Sequence, residues 1–485
     1  MKKKYSIYYL LHFFFIAGLT YAQETEPIVL GERFSFSSEI LGEDRPFLVY
    51  LPEDYDPEGN PVSVMYLLDG QGHFHHTTGI VSFLRRQNRI PDLMVVAIPN
   101  TRDRTHDLTP LIQLDSSAKT GFPTAGGADK MLSFLKDELI PEIESNYNTS
   151  NYRILVGHSF GGLFSVNALL KEPELFNAHI SISPSMWWDQ QHLVSQMDSA
   201  LTTWDSLEVF YYMTMGNEGG SMLGGAMKLA ALFEEKSPEG FQWDFKVLKE
   251  ETHGSIPHRS TYNGLEAIFE EWHDADLEEL YVLGGLQTIE DHYRSLSRKF
   301  GVQMELGESE INSLGYDLMG RGADQSAIEV FLENIRRFPK SWNVYDSAGE
   351  AYMKIGNDEK AIEYYKKSLE LNPVNRNGIK MLEEMDVLVD PMQNKIKLSD
   401  EEISSIVGTY RDDQLGEVQV SKNHNVLNVS APGLPVQELH AFPNNIFALT
   451  PADVIISMVY DSDGEVDGIE VQMGIGQKQF VQKVD

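Results

Sequence analysis

Residues 153–162 read Arg153-Ile154-Leu155-Val156-Gly157-His158-Ser159-Phe160-Gly161-Gly162, and no other stretch constrains the fold as strongly. An apolar β-type run stops at a glycine, a serine follows inside Gly-x-Ser-x-Gly, and a helical pattern begins at once from Leu163 to Leu170. This order of strand, sharp turn and helix is the signature of a nucleophile elbow, which lifts a serine hydroxyl out at the C-terminal edge of a sheet. Gly157 and Gly161 let the strand and helix approach without Cβ atoms between them. The helix N-terminus places free N–H groups and a positive dipole end beneath the hydroxyl of Ser159. The bland alternative is a tight βα turn in which Ser159 only caps the helix.

The chain has 485 residues, enough for two or three domains, and a hydrophobic fraction of 42% that excludes wholesale disorder. Its first residues read as a leader. Lys2, Lys3 and Lys4 precede an apolar stretch from Tyr5 to Leu19, and Thr20-Tyr21-Ala22 offers small residues before a cut at Gln23. An uncleaved anchor is the other reading, but the apolar run is short for a span. The expectation is an exported protein, periplasmic or secreted, with no integral membrane segment after cleavage. There are no cysteines, so disulfides play no part. The formal charge of −34 repels nucleic acid and anionic membrane surfaces.

From about residue 30 to 273 strand and helix patterns alternate. Eight strands are read, at Glu32–Ser38, Pro46–Leu51, Val62–Leu68, Leu93–Ile98, Tyr152–Val156, Ala178–Ser183, Leu207–Met215 and Trp243–Lys249, with helical patterns such as Ala128–Ile143 and Gly225–Lys236 between them. This predicts an α/β fold with a mostly parallel sheet covered on both sides. Ligands then bind outside the C-terminal strand ends. Asp69-Gly70-Gln71-Gly72-His73-Phe74 follows the third strand as a Gly-rich loop, whose N–H at Gly70 or Gln71 can join that of Phe160 as an oxyanion hole. His73, His75 and His76 lack a further ligand at useful spacing, so no metal is expected. After the fourth strand, Arg102 and Arg104 sit in a dense run of charges as an internal brace or a contact for an anionic substrate group. After the sixth, Trp187 and Trp188 either wall a pocket for an aromatic or sugar-bearing substrate or pack under the next helix.

A serine nucleophile needs a histidine to take its proton and a carboxylate to orient that histidine, here in the chain order serine, acid, histidine. Glu218 is the acid at the end of the seventh strand, and His253 follows the eighth. Asp189 is the rival acid and His258 the rival base. Asp205 and His179 stand at the entering ends of their strands, and His158 points off the turn.

Several segments together carry a resemblance: Tyr66-Leu67-Leu68-Asp69-Gly70, Arg104-Thr105-His106-Asp107-Leu108-Thr109-Pro110, Gly157-His158-Ser159-Phe160-Gly161-Gly162, Ser183-Pro184-Ser185-Met186-Trp187-Trp188 and His253-Gly254-Ser255. Over about residues 30 to 275 the chain resembles the putative-esterase family of α/β-hydrolases, which includes siderophore, esterase D-like, feruloyl and acetylxylan esterases and mycolyltransferases. The resemblance implies ester chemistry without metal or cofactor and places nucleophile, acid and base on Ser159, Glu218 and His253. Family members split between Asp and Glu as the acid.

Residues 308 to 375 repeat with a period of 34: Gly315 with Gly349, Gly322 with Gly356, Ala327 with Ala361, Phe331 with Tyr365, Pro339 with Pro373. Period and residue types resemble tetratricopeptide repeats, each a helix pair. A helix at Leu286–Phe300 precedes them as a cap. The repeats either dock a protein partner or act as a structural or self-associating arm. After a polar linker at Pro391–Ser399, alternation at Gly408–Tyr410, Glu417–Val420, Val426–Val429, Ile446–Leu449, Val454–Tyr460 and Gly468–Met473, around turns such as Asp463-Gly464, predicts a small all-β domain. The expected organisation is a leader at 1–22, a hydrolase domain at 23–275, a helical domain at 276–390 and a β domain at 391–485. The expected function is hydrolysis of a small-molecule or glycan ester, whether siderophore, feruloyl or acetylated sugar. Two alternatives are an acyltransferase with the same triad and a non-catalytic protein that binds through its repeats.

Overall fold

The computed structural model describes residues 28–484 apart from 102, 274, 391, 413–414, 425, 434, 450–453, 463 and 475–477. The leader read at residues 1–22, Arg102 and Asp463 lie outside the described residues. The chain forms two compact units that divide between His273 and Asp274.

The first unit is built on eight strands: β1 (Glu32–Ser38), β2 (Glu43–Tyr50), β3 (Val62–Leu68), β4 (Leu93–Ile98), β5 (Thr149–His158), β6 (Ala178–Ile182), β7 (Phe210–Met215) and β8 (Gln242–Val247). Their order in the sheet is β1-β2-β4-β3-β5-β6-β7-β8. β1 and β2 are antiparallel, as are β2 and β4, and all other neighbours run parallel. This is the α/β-hydrolase arrangement that the strand and helix alternation leads one to expect. Every residue of β3 and β4 is buried, because helices cover both faces, which is why these strands read as apolar runs with Ser63 as the one polar residue.

The helix Phe160–Lys171 is buried almost all round, from Gly161 to Leu169. Phe164 and Ala168 enter one core cluster with Tyr66, Val96 and Leu155, whereas Leu163, Val166 and Leu169 enter another with Trp188, Tyr211 and Met215. The element that carries the elbow is thus locked by close packing on two sides, where truncating one such side chain to alanine costs about 2–5 kcal/mol.

The helical pattern read at Ala128–Ile143 is one run to Asn146, interrupted by a π-turn at Leu135–Leu139 just before Pro141. Proline has no N–H for the regular ladder, and a wider turn is one way to accommodate it. The stretch 69–74 differs from the loop expected of it: a helix, Gly70–Arg86, starts directly after Asp69. Gly70 permits this, since a Cβ there would lie 2.9 Å from the backbone nitrogen of Ile98.

In the second unit, helices at Glu308–Gly320 and Asp324–Arg337 and at Trp342–Lys354 and Asp358–Leu371 form the two repeats. The same packing recurs in both. A Cβ on Gly315 would lie 2.5 Å from the Phe331 ring, and one on Gly349 would lie 3.0 Å from the Tyr365 ring. In each repeat a glycine on the first helix lets the second helix close with an aromatic ring against it, and this contact recurs 34 residues later.

The C-terminal strands are β9 (Gly408–Asp412), β10 (Gly416–Asn423), β11 (Val426–Ser430), β12 (Gln437–Phe442), β13 (Ile446–Leu449), β14 (Val454–Tyr460), β15 (Val466–Met473) and β16 (Gln479–Lys483). They close into an antiparallel barrel in the order β10-β11-β12-β13-β14-β15-β16-β9. Sequence alternation identifies six of these and misses β12 and β16, in which Leu439, Ala441 and Val481 point inward. Part of the stretch before the barrel is also ordered beyond a linker: Ile396 donates its N–H to the carbonyl of Ala441 at 2.9 Å. Ser399 and Glu402 form a capping box for a short helix, Asp400–Ile406. The barrel interior is filled by Tyr410, Val420, Ile456, Ile469 and Val481. On its outer wall Phe442, Ile446, Ala448 and Ile455 pack against Trp342 and Val374 of the repeats.

Candidate active site

Ser159 sits between β5 and the helix that starts at Phe160, with φ 61° and ψ −111°. Positive φ at a serine costs on the order of 1–3 kcal/mol and persists only where surroundings enforce it. They do so here. A Cβ on Gly157 would lie 2.2 Å from the carbonyl oxygen of Gly161, so the strand and the helix start are in backbone contact. The N–H of Ser159 donates to the carbonyl of Ile182 at 2.9 Å, and its own carbonyl accepts from Ser185 N–H at 3.1 Å. The Oγ atoms of Ser159 and Ser185 are 3.4 Å apart.

Glu218 lies in the turn after β7 and His253 in the turn after β8. The two turns are stitched by the N–H of Asn217 donating to the carbonyl of Glu251 at 2.7 Å. His253 Nδ1 lies 2.8 Å from Glu218 Oε2. The other carboxylate oxygen, Oε1, accepts the hydroxyl of Ser183 at 2.6 Å. The His253 ring is 4.5 Å from that of His158, the residue before Ser159, so the pair stands beside the elbow.

The rival acid and base are engaged elsewhere. Buried Asp189 accepts the backbone N–H groups of Gln113, Leu114 and Asp115 at 2.8, 2.8 and 2.7 Å and anchors the loop after Pro110. His258 lies in the helix Ile256–Ile268, with its ring 5.5 Å from that of His76. His179 is fully buried against the Ser165 hydroxyl at 2.9 Å.

Phe160 and Gly70 are the first residues of their helices, where N–H groups have no intrahelical acceptor. The Gln71 side chain accepts the N–H of Asn100 at 2.8 Å and ties this helix start to the end of β4. Arg104 donates to both oxygens of Asp69, at 2.5 and 2.8 Å, and to the carbonyl of His158 at 3.0 Å. Burial alone would raise the proton affinity of the Asp69 carboxyl, but the hydrogen bonds and charge of Arg104 overcome this and hold it below the usual carboxylate range. Arg104 therefore braces the ends of β3 and β5, with its guanidinium carbon 5.4 Å from the centre of the Phe160 ring.

Trp188 is buried and donates its indole N–H to the carbonyl of Pro110 at 3.2 Å. Trp187 is half-buried, 6.0 Å from Phe122 and 6.2 Å from Phe160. Of the two tryptophans, Trp187 thus stands nearer the surface, in a patch of rings that starts next to Ser159. Phe122 has no signature in the sequence, and its ring stands 6.0, 6.0 and 5.1 Å from those of Phe160, Trp187 and Trp188.

His158 is pushed down to about 3, first by burial and then by His253 and His73 nearby. His76 is likewise pushed down to about 4, chiefly by burial. These rings are neutral at pH 7. Among the described residues no group of three or more side chains is arranged to hold a metal ion.

The sequence profile of the family described as "Putative esterase" matches residues 38–256, and that of the tetratricopeptide repeat matches residues 348–375. Residues 38–256 are thus similar to the putative esterase family. Within this esterase segment the chain is 30% identical over 162 residues to a siderophore enterobactin esterase of Emericella nidulans, covering 30% of this chain and 53% of that protein. It is 33% identical over 156 residues to the ferri-bacillibactin esterase BesA of Bacillus subtilis, covering 29% of this chain and 53% of that one. The chain thus spans about half the length of these curated relatives. An IroE-like serine hydrolase from Shewanella oneidensis superposes with a TM-score of 0.53 at 27% identity, over 64% of this chain and 99% of that one. An uncharacterised protein from Capnocytophaga ochracea shares the fold at a TM-score of 0.55 and 17% identity, over 70% of this chain and 93% of that one.

Proposed function

We propose that this chain is an exported serine carboxylic-ester hydrolase that works through an acyl-enzyme on Ser159. The observation that carries the reading is the Glu218–His253 pair at 2.8 Å beside a serine held at φ 61° on an elbow. Carboxylate-bound Nδ1 leaves Nε2 of His253 as the basic nitrogen. Nε2 takes the Ser159 hydroxyl proton as Oγ bonds to the ester carbonyl carbon. The resulting oxyanion is held by the N–H of Phe160 and that of Gly70 or Gln71. The imidazolium returns its proton to the departing alcohol, and water then cleaves the acyl-enzyme by the same route.

The relatives' names and the ring patch at Phe122, Phe160 and Trp187 favour an ester with a bulky aromatic acyl group. A siderophore-type ester fits first, with feruloyl and acetylated-sugar esters behind it. The leader at 1–22 directs export to the periplasm or beyond, and 23–275, 276–390 and 391–485 are the working domains. Trp342 and Val374 packing on the barrel wall favours a structural role for the repeats over an open docking groove. No helix among the described residues is long and apolar enough to cross a membrane.

The deciding experiment is fluorophosphonate labelling of the protein and of Ser159→Ala, followed by an ester panel. Labelling and hydrolysis by wild type alone are expected. Equal labelling of the variant, or none of either, sinks the reading.

A further inference from the structure

We infer that Ser183 is a positioning residue of this reaction, acting through Glu218. The inference rests on the triad reading above. Ser183 follows β6 in a left-handed conformation, φ 40°, and is fully buried. Its N–H donates to the carbonyl of Thr214 at 2.8 Å, which ties it to the end of β7.

The direction of its hydroxyl bond is fixed by proton counting. The N–H of Gly216 donates to Ser183 Oγ at 3.2 Å, so the oxygen accepts there. A serine hydroxyl has one proton, and that proton is left for Oε1 of Glu218 at 2.6 Å. Oε1 is held by Ser183 and Oε2 by His253, so the carboxylate can neither rotate nor drift.

The same few residues also hold the nucleophile. Ile182 accepts the N–H of Ser159, and Ser185 donates its N–H to the carbonyl of Ser159. Residues 182–185 therefore form one strip that touches the serine at both backbone groups and the acid at one carboxyl oxygen. The spacing between nucleophile and acid is set by this strip as well as by the turns after β7 and β8. The strained φ of Ser183 is consistent with a residue kept for what its side chain does.

The chemical consequence has a sign. A hydroxyl donated to Oε1 draws charge from the carboxylate. Without it the carboxylate binds the His253 imidazolium more tightly, and the histidine keeps its proton to higher pH. Deleting the hydroxyl therefore slows the step that needs neutral His253 and moves the acid limb of the pH profile upward.

The test is steady-state hydrolysis of an aryl ester by full-length Ser183→Gly, which removes the hydroxyl and relieves the positive φ, with Ser183→Cys as a near-isosteric weak donor. Ser183→Gly is expected to lose about 10- to 100-fold in kcat, the range for a hydrogen bond to a charged group, with KM nearly unchanged and the acid limb of kcat/KM displaced upward. Ser183→Cys should fall between it and wild type. Wild-type rates, or a loss of rate with an unmoved limb in both variants, overturn the inference. Failure of the underlying reading looks different, because wild type itself then neither labels nor hydrolyses.

Discussion

Oε2 of Glu218 lies 2.8 Å from Nδ1 of His253, with the carboxylate side chain 12% exposed and the imidazole 42%. The charge is held inside and the ring that it orients faces outward, the arrangement a proton shuttle requires. Glu218→Gln keeps the shape and removes the charge, and its amide can donate to Nδ1 and enforce the wrong tautomer. We predict a fall in kcat on the order of 10³- to 10⁴-fold with KM nearly unchanged. Kinetics on an aryl ester check this, and a loss under tenfold would remove Glu218 from the acid's role.

The elbow is predicted to be intolerant of a single methyl group. In Gly157→Ala the new Cβ would stand 2.2 Å from the Gly161 carbonyl oxygen, between two backbones that cannot both hold their positions. The expected cost is at least about 3 kcal/mol, in the range of buried backbone and packing lesions, with loss of fluorophosphonate labelling. Urea denaturation measures it, and wild-type stability with full labelling would contradict the close strand–helix contact.

Asp189 is predicted to matter through the loop it holds. Asp189→Ala strips acceptors from three backbone N–H groups, at about 2–4 kcal/mol in total for donors left partly unpaired. Asp189→Asn should cost less, because asparagine tolerates the left-handed backbone found here, φ 44°, and keeps one oxygen. Hydrogen exchange at residues 113–115 should quicken in that order. Unchanged exchange in Asp189→Ala would show that the cradle is dispensable.

Brace and substrate contact are separable at Arg104. Arg104→Leu leaves the Asp69 carboxylate, 9% exposed, without its main partner, and a loss of about 3 kcal/mol is expected. Adding Asp69→Asn should recover part of it in a double-mutant cycle. If Arg104 also meets an anionic substrate group, KM should rise for anionic esters and not for neutral ones. Equal KM changes for both would leave only the brace.

His179 predicts a pH dependence. It is fully buried and burial pushes it down to about 3, so the folded protein does not take up its proton as pH falls through the ordinary histidine range, while the unfolded chain does. Stability from this group is complete above about pH 6.5 and is lost as pH falls toward 3, by about 2 kcal/mol at pH 5. The difference in denaturation free energy between pH 7 and pH 5 should shrink by that amount in His179→Leu. The same difference in both proteins would rule out His179 as a contributor.

The local rules of the chain settle a good deal without tertiary structure. Leu93–Ile98 is apolar at every position and Val62–Leu68 at all but Ser63, the pattern of strands buried on two faces. The run into Gly157-His158-Ser159 stops at glycines because backbones must touch there, and the 34-residue spacing follows from one glycine–aromatic packing used twice. Each of these is a constraint between near neighbours or within a period, so the linear order of residues carries it.

Tertiary structure decides what depends on partners distant in the chain. Asp189 and Glu218 both follow strands; chain position favours Glu218, and the fold brings the backbone of Gln113–Asp115 to Asp189 and the imidazole of His253 to Glu218. Arg104 reads as a brace ahead of a ligand, and its partner Asp69, 35 residues away, is supplied by the fold. β16 finds one of its partners far back in the chain, where Gln482 and Lys483 pair with Arg411 and Tyr410 of β9 and close the barrel. Ser183 is one serine among many by sequence. Its hydroxyl acquires a role only because the N–H of Gly216 takes its lone pair and leaves its single proton facing Glu218.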